Sequence, residues 1–116
     1  MTSVSTKFKA IFKTSKPVIA MAHFGALPGS PLYDEAGGLD ALLEGVRKDL
    51  KALQDAGVDG VMFGNENDRP YAFKVDTAST ATMAFVIGAL RSEIKVPFGV
   101  NVLWDPMSCM ALAAAT

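Results

Sequence analysis

Histidine, cysteine and tryptophan each occur once in this chain of 116 residues, and neither sign of charge is in excess. A lone Cys109 cannot close a disulfide within the chain, so nothing points to an oxidising compartment, and a cytoplasmic location is expected. A lone His23 excludes any centre that needs two histidines from one chain, HExxH zinc sites among them. Eleven Lys+Arg against twelve Asp+Glu leave a net charge of −1, too little positive charge to hold a phosphate backbone. Nucleic acid is therefore not an expected partner. The apolar runs near 17–22 and 109–115 fall short of the roughly 20 residues that a bilayer requires, so no transmembrane segment is expected. Lys7, Lys9, Lys13 and Lys16 imitate the basic start of a signal peptide. The apolar stretch behind them runs into His23 and a Gly/Pro loop with no small-residue cleavage site, and Phe8, Ile11 and Phe12 lie at helical spacing. An amphipathic helix over 1–16 is the reading taken.

Half of the residues are apolar and 20% are charged, which fits one small folded domain rather than a disordered tail. PVIAMA at 17–22 is continuously apolar, as a strand buried on both faces would be. Leu39, Leu42, Leu43, Val46, Leu50 and Leu53 recur at spacings of three and four, with charge on the opposite side, and Gly57 follows as a C-terminal cap. A second strand is expected over 58–63, a second helix over about 78–93 and a third strand over 98–103. Asp105-Pro106 reads as an N-cap with proline at the first helical position, opening a third helix.

The order is helix, then β-α-β-α-β-α, which implies parallel strands with right-handed crossovers, ordered 1-2-3, and helices on one side. The connections are lopsided. Those after strands are about thirteen to fifteen residues long, and those after helices only a few. Long loops on the carboxyl side of every strand fit a (β/α)8 barrel better than a doubly wound sheet, whose first turn would be short and glycine-rich. The fold expected is α/β: the N-terminal three β/α units of a TIM (β/α)8 barrel, incomplete. A barrel typically takes about 250 residues. Residues 1–116 are thus read as a partial barrel cut within its third helix. Without the strands that face it across a barrel, the face bearing some of Ile19, Met21, Val61, Phe63, Val100 and Val102 should stay exposed and drive association.

Candidate chemistry gathers at the carboxyl ends of the strands. His23 closes the first strand and is read either as a general acid or base or as a hydrogen-bonded histidine of the barrel mouth. Asn65, Glu66, Asn67 and Asp68 follow the second strand, where they can hold a substrate's hydroxyls or simply form a capped, solvated turn. Their oxygens suit Mg²⁺, but ligand spacing such as DxDxD is missing, so no metal and no cofactor are assigned. Arg69 and Tyr71 could bind an anion or stack on a ring. Asn101 interrupts an apolar strand and needs a partner, either a substrate or an interior hydrogen-bond network. The segment 25–31 has the composition of a phosphate cradle, but with no lysine and no helix close behind it is read as an ordered loop. Cys109 is read as packing.

PVIAMAHFGALPGSP, AGVDGVMFGNENDRPY, DTASTATMA and VPFGVNVL together resemble the BtpA/SgcQ family. The resemblance runs from Pro17 to Leu103. It implies a TIM barrel related to phosphate-binding barrels such as phosphoribosylanthranilate isomerase. It also implies either a small-carbohydrate setting or a role in photosystem I biogenesis. The chain departs from the family at Trp104-Asp105, where a polar or basic residue followed by Asn is expected. Three functions follow. One is a phosphosugar-type enzyme with isomerase or lyase chemistry, with His23, Glu66 and Asp68 catalytic and Asn65, Asn67, Arg69 and Asn101 binding substrate. Another is a non-catalytic assembly factor for a membrane complex of the photosystem type. The last is an inactive fragment lacking the strands that would hold a phosphate. The partners expected are a small-molecule substrate and a second copy of the chain in a homo-oligomer.

Overall fold

The leucine repeat and its glycine stop fold as the spacing predicts. A computed structural model describes residues 3–116, and in it Gly38–Asp55 is an 18-residue helix, α2, that buries Leu42, Val46 and Leu50. Ala56 caps it, and Gly57 turns the chain at φ +85°, a conformation that side chains with a Cβ avoid. Around α2 the elements run α1 Ser3–Ile11, β1 Ile19–His23, β2 Gly60–Gly64, α3 Thr77–Leu90, β3 Phe98–Asn101 and α4 Pro106–Ala115. The expected N-terminal helix over 1–16 is shorter at its far end, and Met1 and Thr2 lie outside the described residues. Two features keep the helix from running on to residue 16. Thr14 Oγ1 accepts from the Lys16 N–H at 3.3 Å, and Lys16 precedes a proline, which disfavours the helical conformation.

Asp76 opens α3, its Oδ1 accepting from the Ser79 N–H at 2.7 Å. The helix gives way at Arg91–Glu93 to a 3₁₀ turn, three residues before the end that the sequence predicts. There the Lys95 N–H donates to Gln54 Oε1 at 2.6 Å, and Arg47 Nε reaches Glu93 at 3.1 Å, so α2 fixes the chain as it turns toward β3. Asp105 caps α4 through its Oδ1 and the Ser108 N–H at 3.0 Å, with Pro106 at the first helical position as read. The third strand ends at Asn101 rather than 103 because the next two N–H groups leave the ladder. Val102 donates to Cys109 Sγ at 2.8 Å and Leu103 to Asn65 Oδ1 at 2.8 Å.

The three strands form one parallel sheet in the order β1-β2-β3, as expected from the β-α alternation. The register aligns His23 with Gly64 and Gly64 with Asn101, so the carboxyl ends finish in one row. Successive side chains point to opposite faces. On one face Ala22, Val61 and Phe63 are buried with Met83, Val86, Ile87 and Leu90 of α3, Val46 and Leu50 of α2, and Leu112 of α4. Burying a side chain such as Phe63 is worth about 1.5–3 kcal/mol. On the other face Ile19 is 46% exposed and Met21 40% exposed. One helix layer on one sheet makes a thin slab, 47 × 30 × 20 Å. Of the six apolar residues from which the open face is expected to be drawn, Ile19 and Met21 are exposed, Val61, Phe63 and Val102 are buried in the core and Val100 packs against it.

Candidate functional site

Parallel pairing in this register brings residues distant in sequence to one edge. His23 belongs to the same face of the sheet as Met21, opposite the buried Ala22. Among the described residues no hydrogen bond reaches its ring. Next to it sits Gly64, where a Cβ would meet Met21 Cε at 3.2 Å and His23 Cδ2 at 3.6 Å. The glycine leaves that floor open. Asn101 lies one strand further, about 10 Å from His23 across two strand spacings. Its Oδ1 lies 4.0 Å from Cys109 Sγ, a weak contact that leaves the amide half-buried with capacity to spare.

The segment after β2 behaves differently. Asn65 is buried, and its Oδ1 accepts from the Leu103 N–H. Asn67 Nδ2 donates to the Phe24 carbonyl at 2.8 Å, and Asp68 Oδ1 accepts from the Leu27 N–H at 3.1 Å. These side chains stitch the loop after β2 to the loops after β1 and β3. Phe24 and Leu27, fully buried, drive the loop after β1 into the core and so present its backbone to them. The Phe24 ring packs on Phe63 at 6.2 Å between centroids. Ser30 Oγ adds a further stitch by donating to the Arg69 carbonyl.

Glu66 and Arg69 remain at the outer rim. The Tyr71 hydroxyl donates to the Glu66 carbonyl and lies 3.2 Å from Glu66 Oε1, and Arg69 Nε donates to the same hydroxyl at 3.3 Å. That hydrogen bond first, with the Glu66 carboxylate adding to it, holds the guanidinium above its ordinary pKa. Asn65, Asp68 and Arg69 line a cavity of about 320 Å³ with Gly29, Ser30, Asp76 and Ser79 at the start of α3. The expected set therefore does not come together: His23 and Asn101 stand at the end of the sheet, Asn65 and Asp68 at the cavity, Glu66 at the rim, and Arg69 between cavity and rim. Asn67 serves the loop.

Two groups carry more than the sequence reading gave them. Asp105, expected as a cap, is buried and also accepts from the Val75 N–H at 2.8 Å, tying α4 to the loop before α3. The Ser108 hydroxyl and N–H, then the Val75 N–H, hold its carboxyl below the ordinary range against the opposing effect of burial, and Lys74 adds to the lowering. Cys109, expected as packing alone, accepts the N–H that ends β3. The Asp-Pro pair marks Asp105 as a cap, but nothing local marks its tie to Val75, 30 residues away. For Cys109 the sequence offers no signal.

Among the described residues no helix is long and apolar enough to cross a membrane, and no three side chains cluster as metal ligands. What the fold and this edge define is an α/β protein with a parallel sheet and its polar side chains at the carboxyl ends of the strands. The BtpA family model matches residues 14–116, and the chain belongs to that family. It is 51% identical over 108 residues to the sgc region protein SgcQ of Escherichia coli, covering 93% of this chain and 40% of that protein. An uncharacterized protein of Thermococcus kodakarensis is 42% identical over 76% of this chain and 33% of its own length. The photosystem I biogenesis protein BtpA of Synechocystis is 34% identical over 89% of this chain and 36% of its own length. The chain thus spans about 40% of the E. coli relative and less of the other two. No solved structure matches it.

Proposed function

We propose that the carboxyl edge of this sheet is part of the mouth of an acid–base enzyme acting on a small phosphosugar-type molecule, by isomerase or lyase chemistry. The sheet would then be the first three β/α units of a (β/α)8 barrel. The observation that carries the reading is His23. It ends β1 on the open face, has no hydrogen-bond partner among the described residues and faces a floor that Gly64 keeps clear. Imidazole is the side chain best suited to taking up and releasing a proton near neutral pH. Asn101 would orient a carbonyl or hydroxyl from the same row, and the half-exposed Glu66 carboxylate would be the second proton-transfer group. Asn65 and Asn67 would hold the loops that frame the mouth, and Asp68, which ties down Leu27 and lines the cavity, would be a further proton-transfer group. In barrels the phosphate is often held by loops after strands seven and eight. The test is therefore a thermal-shift screen of sugar phosphates on this chain and, in parallel, on the longer Escherichia coli relative. A sugar phosphate that raises the melting temperature of the relative, with the effect lost on replacing its counterpart of His23 by Gln, supports the reading. Silence across the screen in both proteins ends it.

The name of the Synechocystis relative favours a second reading, a non-catalytic factor in assembling a membrane complex. The open apolar face with Ile19 and Met21 would be its contact surface. Replacing Met21 with Lys separates the two readings: it should abolish assembly activity while leaving a sugar-phosphate response in place.

A further inference from the structure

The loops after β2 and β3 meet in an aromatic cluster that no hydrophobic core covers. Phe73 is 81% exposed and Trp104 59% exposed, yet their rings stack at 5.2 Å between centroids with 22° between planes. Tyr71 meets Trp104 edge-on at 5.9 Å, and the Arg69 guanidinium lies 6.0 Å from the Tyr71 ring centre. Trp104 takes this position at φ +63°, the only non-glycine residue with positive φ among the described residues. Large apolar rings gathered at the surface, rather than scattered, mark a contact site. The shelf stands beside the Glu66 carboxylate and the Arg69 guanidinium, which is a rim of hydrogen-bond acceptors and donors.

We propose that Phe73 and Trp104, braced by Tyr71, form a stacking shelf for the C–H face of a pyranose ring, whose hydroxyls are taken by Glu66 and Arg69. The inference rests on the reading of the carboxyl edge as a small-molecule mouth. The stack excludes a sandwiched ligand, and the rim decides between ring types. A planar base slotted between two aromatic side chains would need about 7 Å between their planes, twice the carbon contact distance. Phe73 and Trp104 are already closed on one another, so a ligand must lie on one open face. An open aromatic face edged by a carboxylate and a guanidinium matches a ring that is apolar on its face and hydroxylated around its edge. The carboxylate at the rim and the net charge of −1 oppose a polyphosphate or a nucleic-acid strand.

Trp104 is the only tryptophan, so its emission reports on the shelf alone. The chain is titrated with methyl β-D-glucopyranoside, methyl β-D-galactopyranoside, sorbitol and adenosine. A saturable change in Trp104 emission with one or both pyranosides is expected, with none from sorbitol, which carries hydroxyls without a ring face. Phe73→Leu should raise the half-saturation concentration about tenfold while the far-UV circular dichroism stays the same. In saturation-transfer NMR on the unmodified chain, irradiating the aromatic protons should reach the C–H protons of one face of the sugar. An unsaturable response, an equal response to sorbitol, a response to adenosine alone or no transfer to the ring protons would overturn the shelf. Its failure is distinguishable from failure of the enzymatic reading. Pyranosides that fail these readouts while a sugar phosphate still stabilises the relative remove the shelf only, and a pyranoside that binds the shelf while the sugar-phosphate screen is silent in both proteins removes the catalytic reading only.

Discussion

The two faces of the sheet are built from alternate residues of the same strands, yet they obey different rules. Toward the helices, Ala22, Val61 and Phe63 are sealed among leucine, valine and methionine side chains of α2, α3 and α4. Toward the open side, Ile19, Met21, Met62, His23 and Asn101 share their face with three glycines, Gly60, Gly64 and Gly99. The first face holds the structure together. The second is smooth, partly apolar and ends in polar groups, which is what a surface kept for other contacts requires. On the reading proposed above, proton transfer at His23 belongs to the face that contributes least to stability.

The largest expected effect tests that division directly. Phe63→Ala removes a fully buried ring that packs on Phe24 and Phe98, and should cost about 3–5 kcal/mol. Met62→Ala, one residue away on the open face, should cost less than about 1 kcal/mol. Urea unfolding of the two variants measures both. Equal losses would mean that the open face is as well packed as the closed one.

The next effect lies in the loops. Asn65→Leu has a similar volume but leaves the Leu103 N–H without its acceptor beside a buried side chain, for about 1–3 kcal/mol. Asn67→Ala, whose partner is the Phe24 carbonyl at a more exposed position, should cost less. Hydrogen exchange at Leu103 would locate the loss. If Asn65→Leu proves neutral, the stitching of the three loops is not what fixes their positions.

How much of this could be read from the sequence follows from the range of the forces involved. Element order, the α2 stripe, the Gly57 stop and the Asp105 cap are set by neighbours within four residues, and all are found where spacing and capping chemistry place them. Sequence pattern places the three strands to within two residues, and what shifts their ends is long-range. Leu103 is drawn off by Asn65, and Asp59 and Gly60 both donate to the Val18 carbonyl below the start of β2. Phe24 and Leu27 look like loop residues in sequence, and only the folded chain shows them filling the core beneath the mouth. The polar cluster after β2 was visible as a group. The stitching by Asn65 and Asn67 was not visible, because partners 38 and 43 residues away leave no local trace.

A smaller effect is pH-dependent. The Asp105 carboxyl is held below its ordinary value of 3.8 by the Ser108 hydroxyl, the Ser108 N–H and the Val75 N–H. A carboxyl with a lower pKa in the folded state stabilises fully above its unfolded value and loses that contribution as pH falls through the folded one. Acid should therefore weaken α4 and its tie to α3 below about pH 4, and Asp105→Asn should flatten the melting temperature against pH in that range. An unchanged acid limb in Asp105→Asn would assign the acid sensitivity to other carboxylates.

The smallest expected effect on stability belongs to His23, and for that reason it is the most informative about function. Its ring has no hydrogen-bond partner among the described residues, and it stands on the face that the helices do not cover. Replacing it with Gln removes no packed contact of the core and should change unfolding free energy by no more than about 0.5 kcal/mol. Glutamine can still hydrogen-bond but cannot carry a proton at neutral pH. If the carboxyl edge is a site of proton transfer, His23→Gln should leave urea unfolding where it was and abolish turnover of whichever sugar phosphate the screen identifies. If instead the substitution destabilises the chain by several kcal/mol, the histidine is a structural part of the open face. The two faces would then differ in exposure but not in what they do for the fold.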